Sequence, residues 1–234
     1  MTQGPGGAIA AVEPGSLADA VGIRPGDLLL TINGRPLRDV IDVQFYAAEE
    51  RLEIVVERAG KRLLFEAERE YGQDLGLSFA HLTFDVDIRR CANNCDFCFV
   101  KQNAPGMRRS LYVKDDDYRY SFLSGSFVTL TNLTGDDWAR LEEQRLSPLY
   151  VSVHATEPEL RRRFLGRGTI PDIMGQLRRL AELGIEVHTQ VVLVPGLNDG
   201  EHLARTVADL DSCDTIETRH LAEALQYRQR NINQ

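Results

Sequence analysis

Long apolar runs are missing from this chain. No stretch approaches the ~20 apolar residues that a membrane-spanning helix needs, so no membrane partner is expected. The first residues, Met1–Gly7, carry no basic segment followed by an apolar one, so no secretory leader is expected and the location is read as cytoplasmic. Positive charge is also short: the formal net charge is −8. That balance counts against a nucleic-acid ligand held mainly by phosphate contacts, although a local basic patch stays open. The densest basic run, Arg161-Arg162-Arg163, reads as a solvated helix face. Internal repeats and low-complexity tracts are absent. Cysteine is scarce, with four in 234 residues. What remains is ordinary for a globular protein, 43 % hydrophobic and 26 % charged, which excludes a disordered or fibrous chain.

The scarce cysteines are not scattered. Cys91, Cys95 and Cys98 fall within one short stretch, and Cys213 is remote. In a reducing compartment such a cluster points to metal binding or catalysis rather than to a disulfide framework. The chain divides near Tyr71–Ser78, where Gly72 and Gly76 flank a polar stretch. We therefore expect a domain over 6–70, a second over 78–212, and an atypical tail over 213–234.

The first part is rich in short β-type runs and turns. Ala8–Val12 is apolar and is closed by Glu13-Pro14-Gly15. Ser16 can cap a short helix with Leu17, Ala18 and Val21. Arg24-Pro25-Gly26-Asp27 is a turn, because proline fixes φ and glycine supplies positive φ. Leu28–Ile32 reads as a strand closed by Asn33-Gly34, and Leu52–Arg58 with Lys61–Ala67 as a hairpin around Ala59-Gly60. Between them, Val40, Val43 and Ala47 recur at helical spacing. The segments Val12–Ala18, Gly22–Asp27 and Ile32-Asn33-Gly34 together resemble a PDZ domain of the bacterial type. The resemblance implies a partner peptide or protein C-terminus added as a strand at a sheet edge, with a carboxylate-binding loop near Gly4–Ile9. The alternative is a module that only packs against the next domain.

The second part alternates strands with helices. Phe84–Ile88, Phe127–Asn132, Leu149–His154 and Ile185–Val194 read as strands. Helices are expected from Thr134 (with Trp138 and Leu141), from a Thr156-x-x-Glu159 capping box, around Ile173, Leu177 and Leu180, and around Leu203, Val207 and Leu210. Gly166 and Gly184 are expected stops. Val194–Asp199 reads as a strand stop followed by a helix cap at Asn198 or Asp199. Such alternation implies a parallel sheet or barrel.

Cys91, Cys95 and Cys98 are spaced Cys-x3-Cys-x2-Cys, just after the first strand candidate. Thiolates are the usual ligands of iron–sulfur clusters, and three of them can hold three irons of a 4Fe–4S cube while the fourth iron stays open. A structural zinc site is the competing reading, but zinc normally takes four protein ligands and no histidine lies near in sequence. Cys213 is either a distant fourth ligand or an incidental thiol.

This spacing, with Phe97 before the third cysteine, resembles the radical SAM superfamily. The resemblance implies a 4Fe–4S cluster as cofactor with S-adenosylmethionine on the open iron, an electron donor as partner, and reductive cleavage to a 5′-deoxyadenosyl radical that acts on an unknown substrate. The expected fold class is α/β: a small β-rich PDZ-like domain followed by an incomplete parallel (β/α) radical SAM barrel. In such a barrel Ser152, His154, His188 and Gln190 are the expected lining residues. Thr131 and Asn132 stand where the superfamily often has a Gly-Gly-Glu-like stretch. Met107–Arg119 reads as a solvated loop by composition; with the other signatures it resembles the bacterial proteins described as PDZ-containing iron–sulfur oxidoreductases. Two further readings stay open: an iron–sulfur electron-transfer or sensing protein, and a peptide-binding scaffold with structural zinc. Four strands rather than six, and a polar end after Leu210, lead us to expect a truncated chain or a shifted reading frame.

Overall fold

The computed structural model describes residues 6–85 and 88–227, and the chain separates into two compact units, 1–88 and 89–234.

The first unit is mostly antiparallel sheet. It runs β1 (Gly7–Val12), α1 (Leu17–Val21), β2 (Leu28–Ile32), β3 (Arg35–Pro36), α2 (Val40–Tyr46), β4 (Arg51–Arg58), β5 (Lys61–Glu68) and β6 (Leu77–Phe79). The strand order is β5-β4-β2-β1-β6, with β3 on β2. The expected turns do their local work. Asn33 and Gly34, like Ala59 and Gly60, take positive φ and reverse the chain between strands. Ser16 caps α1 through Asp19 N–H, and Asp39 caps α2 through the N–H groups of Ile41 and Asp42. Alternation along β4 puts Leu52, Ile54 and Val56 into a core with Ile9, Leu29, Ile32 and Val43. The Arg58 guanidinium crosses to the buried Asp27 carboxylate at 2.7 Å and holds that carboxyl below its usual range.

This sheet corrects one expectation. Of the loop expected near Gly4–Ile9, Gly4 and Pro5 lie outside the described residues, and Gly7–Ile9 belong to β1. β1 pairs with β2 on one side and β6 on the other, so its edges are taken. β6 is the outer strand at that end.

The second unit contains α3 (Tyr118–Ser124), α4 (Gly135–Gln144), β7 (Leu149–Ser152), α5 (Pro158–Leu165), α6 (Ile173–Glu182), β8 (Val187–Gln190), α7 (Glu201–Leu210) and α8 (Thr218–Gln226). β7 and β8 pair in parallel with Leu149 opposite Val187 and Ser152 opposite Gln190. Among the described residues this is the one parallel sheet, and it has two strands. A parallel barrel is therefore not what the chain displays. Of the expected strand Phe127–Asn132 there remains a parallel bridge between Val128 and Val151. Phe84–Ile88 falls partly outside the described residues, and Phe84 packs on the core of the first unit. Strand Ile185–Val194 shrinks to β8, whose His188, Thr189 and Gln190 are exposed.

Helix starts are mixed. Thr134 and Asp137 form a reciprocal capping box on α4. The expected box at Thr156 is absent: α5 starts at Pro158 after Glu157, and the Thr156 hydroxyl donates to Asp209 at 2.5 Å instead. Asn198 caps nothing either. It is buried, receives Val194 N–H, and donates to the carbonyls of His154 and Val192. Gly200 precedes α7. No helix of the described residues is long and apolar enough to cross a membrane.

Candidate metal centre

The cysteine stretch has little regular structure of its own, so its backbone groups are satisfied by neighbours. Cys91 N–H donates to Lys114 O at 2.8 Å, and Asp116 N–H donates back to Arg89 O at 2.9 Å. Asn94 N–H donates to Leu165 O at 2.8 Å, at the end of α5. The approach is close there. Gly166 takes φ +58°, and a Cβ on it would stand 2.5 Å from Asn94 O. Two lysines close the loop from outside: Lys114 Nζ reaches Asn93 O, and Lys101 Nζ reaches Asn94 Oδ1 and Cys95 O. After Cys98 the chain enters a single 3-10 turn, Phe99–Gln102.

Inside the loop, Asn93 is 2 % exposed and enters a polar knot. Its Nδ2 donates to Thr129 Oγ1 at 2.9 Å, and its Oδ1 accepts from Thr131 Oγ1 at 3.2 Å. The Asp116 carboxylate anchors the knot, accepting Thr129 N–H and Thr129 Oγ1, both at 2.6 Å, and Thr131 Oγ1 at 3.3 Å. Asn132 Nδ2 donates to Asp116 O at 2.7 Å. Burial pushes the Asp116 carboxyl up despite the threonine donors. The stretch read as a solvated loop is thus partly interior: Asp116, Asp117, Tyr118 and Arg119 are buried, and Arg119 pairs with Asp117 at 2.7 Å. A buried acid met by hydroxyls leaves no mark in composition, which is why it was missed.

The three thiols are half-buried. Burial, then the neighbouring Asp116, raises the Cys91 thiol. Burial, then Cys91 and Cys98, pushes Cys95 up to about 11. Cys91 and Cys95 thus resist ionisation until a cation shares the site. Zinc normally takes four protein ligands, and the loop offers three thiols. Three thiols on one short loop are the donor chemistry of an iron–sulfur cluster.

Phe97 meets the His154 ring at 5.0 Å and the Phe164 ring at 4.4 Å, and His154 stacks on Phe164. His154 leaves the β7 strand at φ +64°. Its Nδ1 accepts Val192 N–H at 3.2 Å, and burial with the neighbouring Arg161 lowers its pKa to about 3. The structure thus brings Phe97, His154 and the knot residues Thr131 and Asn132 around the cysteine unit. Ser152 is buried on β7, and its carbonyl accepts from Arg161. His188 and Gln190 stand exposed on β8; the His188 ring lies tilted against Tyr150 at 4.8 Å. Arg161 corrects the solvated-face reading of its run, being 1 % exposed, whereas Arg162 pairs with Glu159. Cys213 lies elsewhere in the unit, beside Asp211, Arg219 and His220.

Residues 69–218 match the family description Radical SAM-like domain. The chain belongs to this family. Residues 9–58 match the description PDZ domain, so the radical SAM and PDZ architecture expected from the residues is the one found. The radical SAM-like match begins before β6, a strand that completes the sheet of the first unit. No curated protein matches the chain.

Proposed function

We propose that this radical SAM-like chain binds a 4Fe–4S cluster through Cys91, Cys95 and Cys98 and S-adenosylmethionine at the open iron, and acts as a radical-generating enzyme. The observation that carries this is the thiol set itself. Three half-buried cysteines share one loop, a donor set of thiols with no histidine or carboxylate of its own within Cys91–Cys98 apart from Asp96. When bound, the cluster and S-adenosylmethionine supply one-electron reductive C–S cleavage and a 5′-deoxyadenosyl radical.

The chain's own residues have three tasks. Lys101 and Lys114 tie the loop through its carbonyls and add positive charge near thiolates that must ionise together. Asn93, Thr129, Thr131 and Asp116 fix the loop against the following segment, with Asn132 bound to the Asp116 carbonyl. The Phe97–His154–Phe164 rings exclude water on one side. Because Nδ1 of His154 accepts a backbone N–H, its proton sits on Nε2 and the ring stays neutral. Thr131, Asn132, Ser152 and His154 are the residues we assign to the cofactor pocket. An electron donor of low potential is required as a partner. In the first unit, a peptide added as a strand would use the outer edge of β6.

Anaerobic reconstitution with iron and sulfide tests the site. We expect about four irons per chain in the wild type and loss of the brown chromophore in Cys95→Ala. A colourless protein that retains one zinc per chain would overturn the assignment.

A further inference from the structure

Arg161 lies on α5 and is among the largest fully buried side chains of the protein. Burying a cation costs several kcal/mol unless an opposite charge meets it. Here the guanidinium meets main-chain carbonyls instead. Nη1 donates to Ser152 O and Val153 O, and Nη2 donates to Thr129 O at 2.9 Å. Its Nε is the one buried side-chain nitrogen or oxygen among the described residues without a hydrogen-bond partner. Within its own run the interior placement is particular to Arg161, since the neighbouring Arg162 satisfies its charge on Glu159 at the surface.

The Nη2 partner of Arg161, Thr129, also holds Asn93, which lies between Cys91 and Cys95, and Asp116, so the guanidinium stands behind the cysteine loop. Asp116 is already engaged by Thr129 and Thr131. The remaining negative charge is the one the cysteines carry once they hold a cluster. We propose that Arg161 is the fixed buried cation that compensates the charge of the cysteine-held cluster and makes its one-electron reduction easier, a role that rests on the cluster assignment above. One electron leaves a low-potential donor and enters the cluster, which becomes more negative by one unit. No bond breaks and no proton moves, because an arginine keeps its proton throughout. Net charge near a cluster is one of the levers that set its potential. Arg161 is thus a positioning charge rather than a catalytic residue.

The test uses the full chain, reconstituted anaerobically, as wild type, Arg161→Gln and Arg161→Lys. Midpoint potentials are read by electron paramagnetic resonance during titration with dithionite. We expect the glutamine variant to shift to a more negative midpoint and the lysine variant to stay at the wild-type value. A glutamine variant at the wild-type midpoint, or two variants shifted alike, overturns the role. Where the glutamine variant does not fold, the lysine variant decides: a wild-type midpoint supports the charge role and a displaced one rejects it. A wild-type chain that takes up no cluster rejects the cluster assignment and this role with it. A loaded wild type with an unmoved glutamine variant rejects this role alone.

Discussion

Replacing Thr129 by valine removes one hydroxyl and leaves the side-chain shape nearly unchanged. That hydroxyl accepts from Asn93 Nδ2 at 2.9 Å and donates to Asp116 Oδ2 at 2.6 Å. Both partners are 2 % exposed, so neither can turn to water instead. Asn93 Nδ2 is left unpaired and Asp116 Oδ2 keeps only the longer Thr131 hydroxyl bond at 3.3 Å; at about 1–3 kcal/mol for an unpaired buried polar group, the expected loss is about 3 kcal/mol. For a domain of roughly 150–250 residues, each kcal/mol lowers Tm by about 2–4 °C, so a fall of roughly 6–12 °C is expected. Thr129→Ser keeps the hydroxyl and should stay within about 3 °C of wild type. Because Asn93 lies between Cys91 and Cys95, iron retained per chain after reconstitution should fall in parallel with Tm in the valine variant. Differential scanning calorimetry of the metal-free chain reads the first effect. A valine variant that melts with the wild type would refute the knot as the support of the cysteine loop.

His154 gives a pH-dependent prediction. Its pKa falls from 6.5 to about 3 on folding, so the unfolded chain binds a proton that the folded chain refuses. Stability is therefore full above about pH 6.5 and is lost as pH falls toward 3, by about 2 kcal/mol between pH 7 and 5. Denaturant titrations at those two pH values should show this loss in the wild type and not in His154→Phe; an equal loss in both would contradict it. Gly166→Ala places a Cβ against Asn94 O at positive φ, so we expect at least ~1–2 kcal/mol of destabilisation together with weaker iron retention. An unchanged Tm and iron content would mean that α5 and the loop need no close approach.

Much of the first unit was legible because its elements are closed by local chemistry. Asn33-Gly34 and Ala59-Gly60 need nothing beyond their own φ values to reverse the chain. Leu52, Ile54 and Val56 announce a buried face by period alone. The outer place of β6 was not legible, since three residues after a glycine-rich stretch carry no strand signal. In the second unit the cysteines and Phe97 were visible, but the groups that hold their loop were not. Asp116 and Arg161 look like surface residues by type, and only tertiary contact makes them interior. Thr156 and Asn198 have the residue types of helix caps, yet each spends its side chain on a distant partner. The strands were overcalled because apolar runs such as Ile185–Val194 extend well past the four residues that pair in β8.

The most direct measurement is electron paramagnetic resonance of the reduced, reconstituted chain with and without S-adenosylmethionine, read together with chromatography for 5′-deoxyadenosine. The account predicts a changed cluster signal on adding S-adenosylmethionine and formation of 5′-deoxyadenosine. An unchanged signal with no nucleoside product would contradict it and leave an iron–sulfur protein that passes or senses electrons without cleaving S-adenosylmethionine.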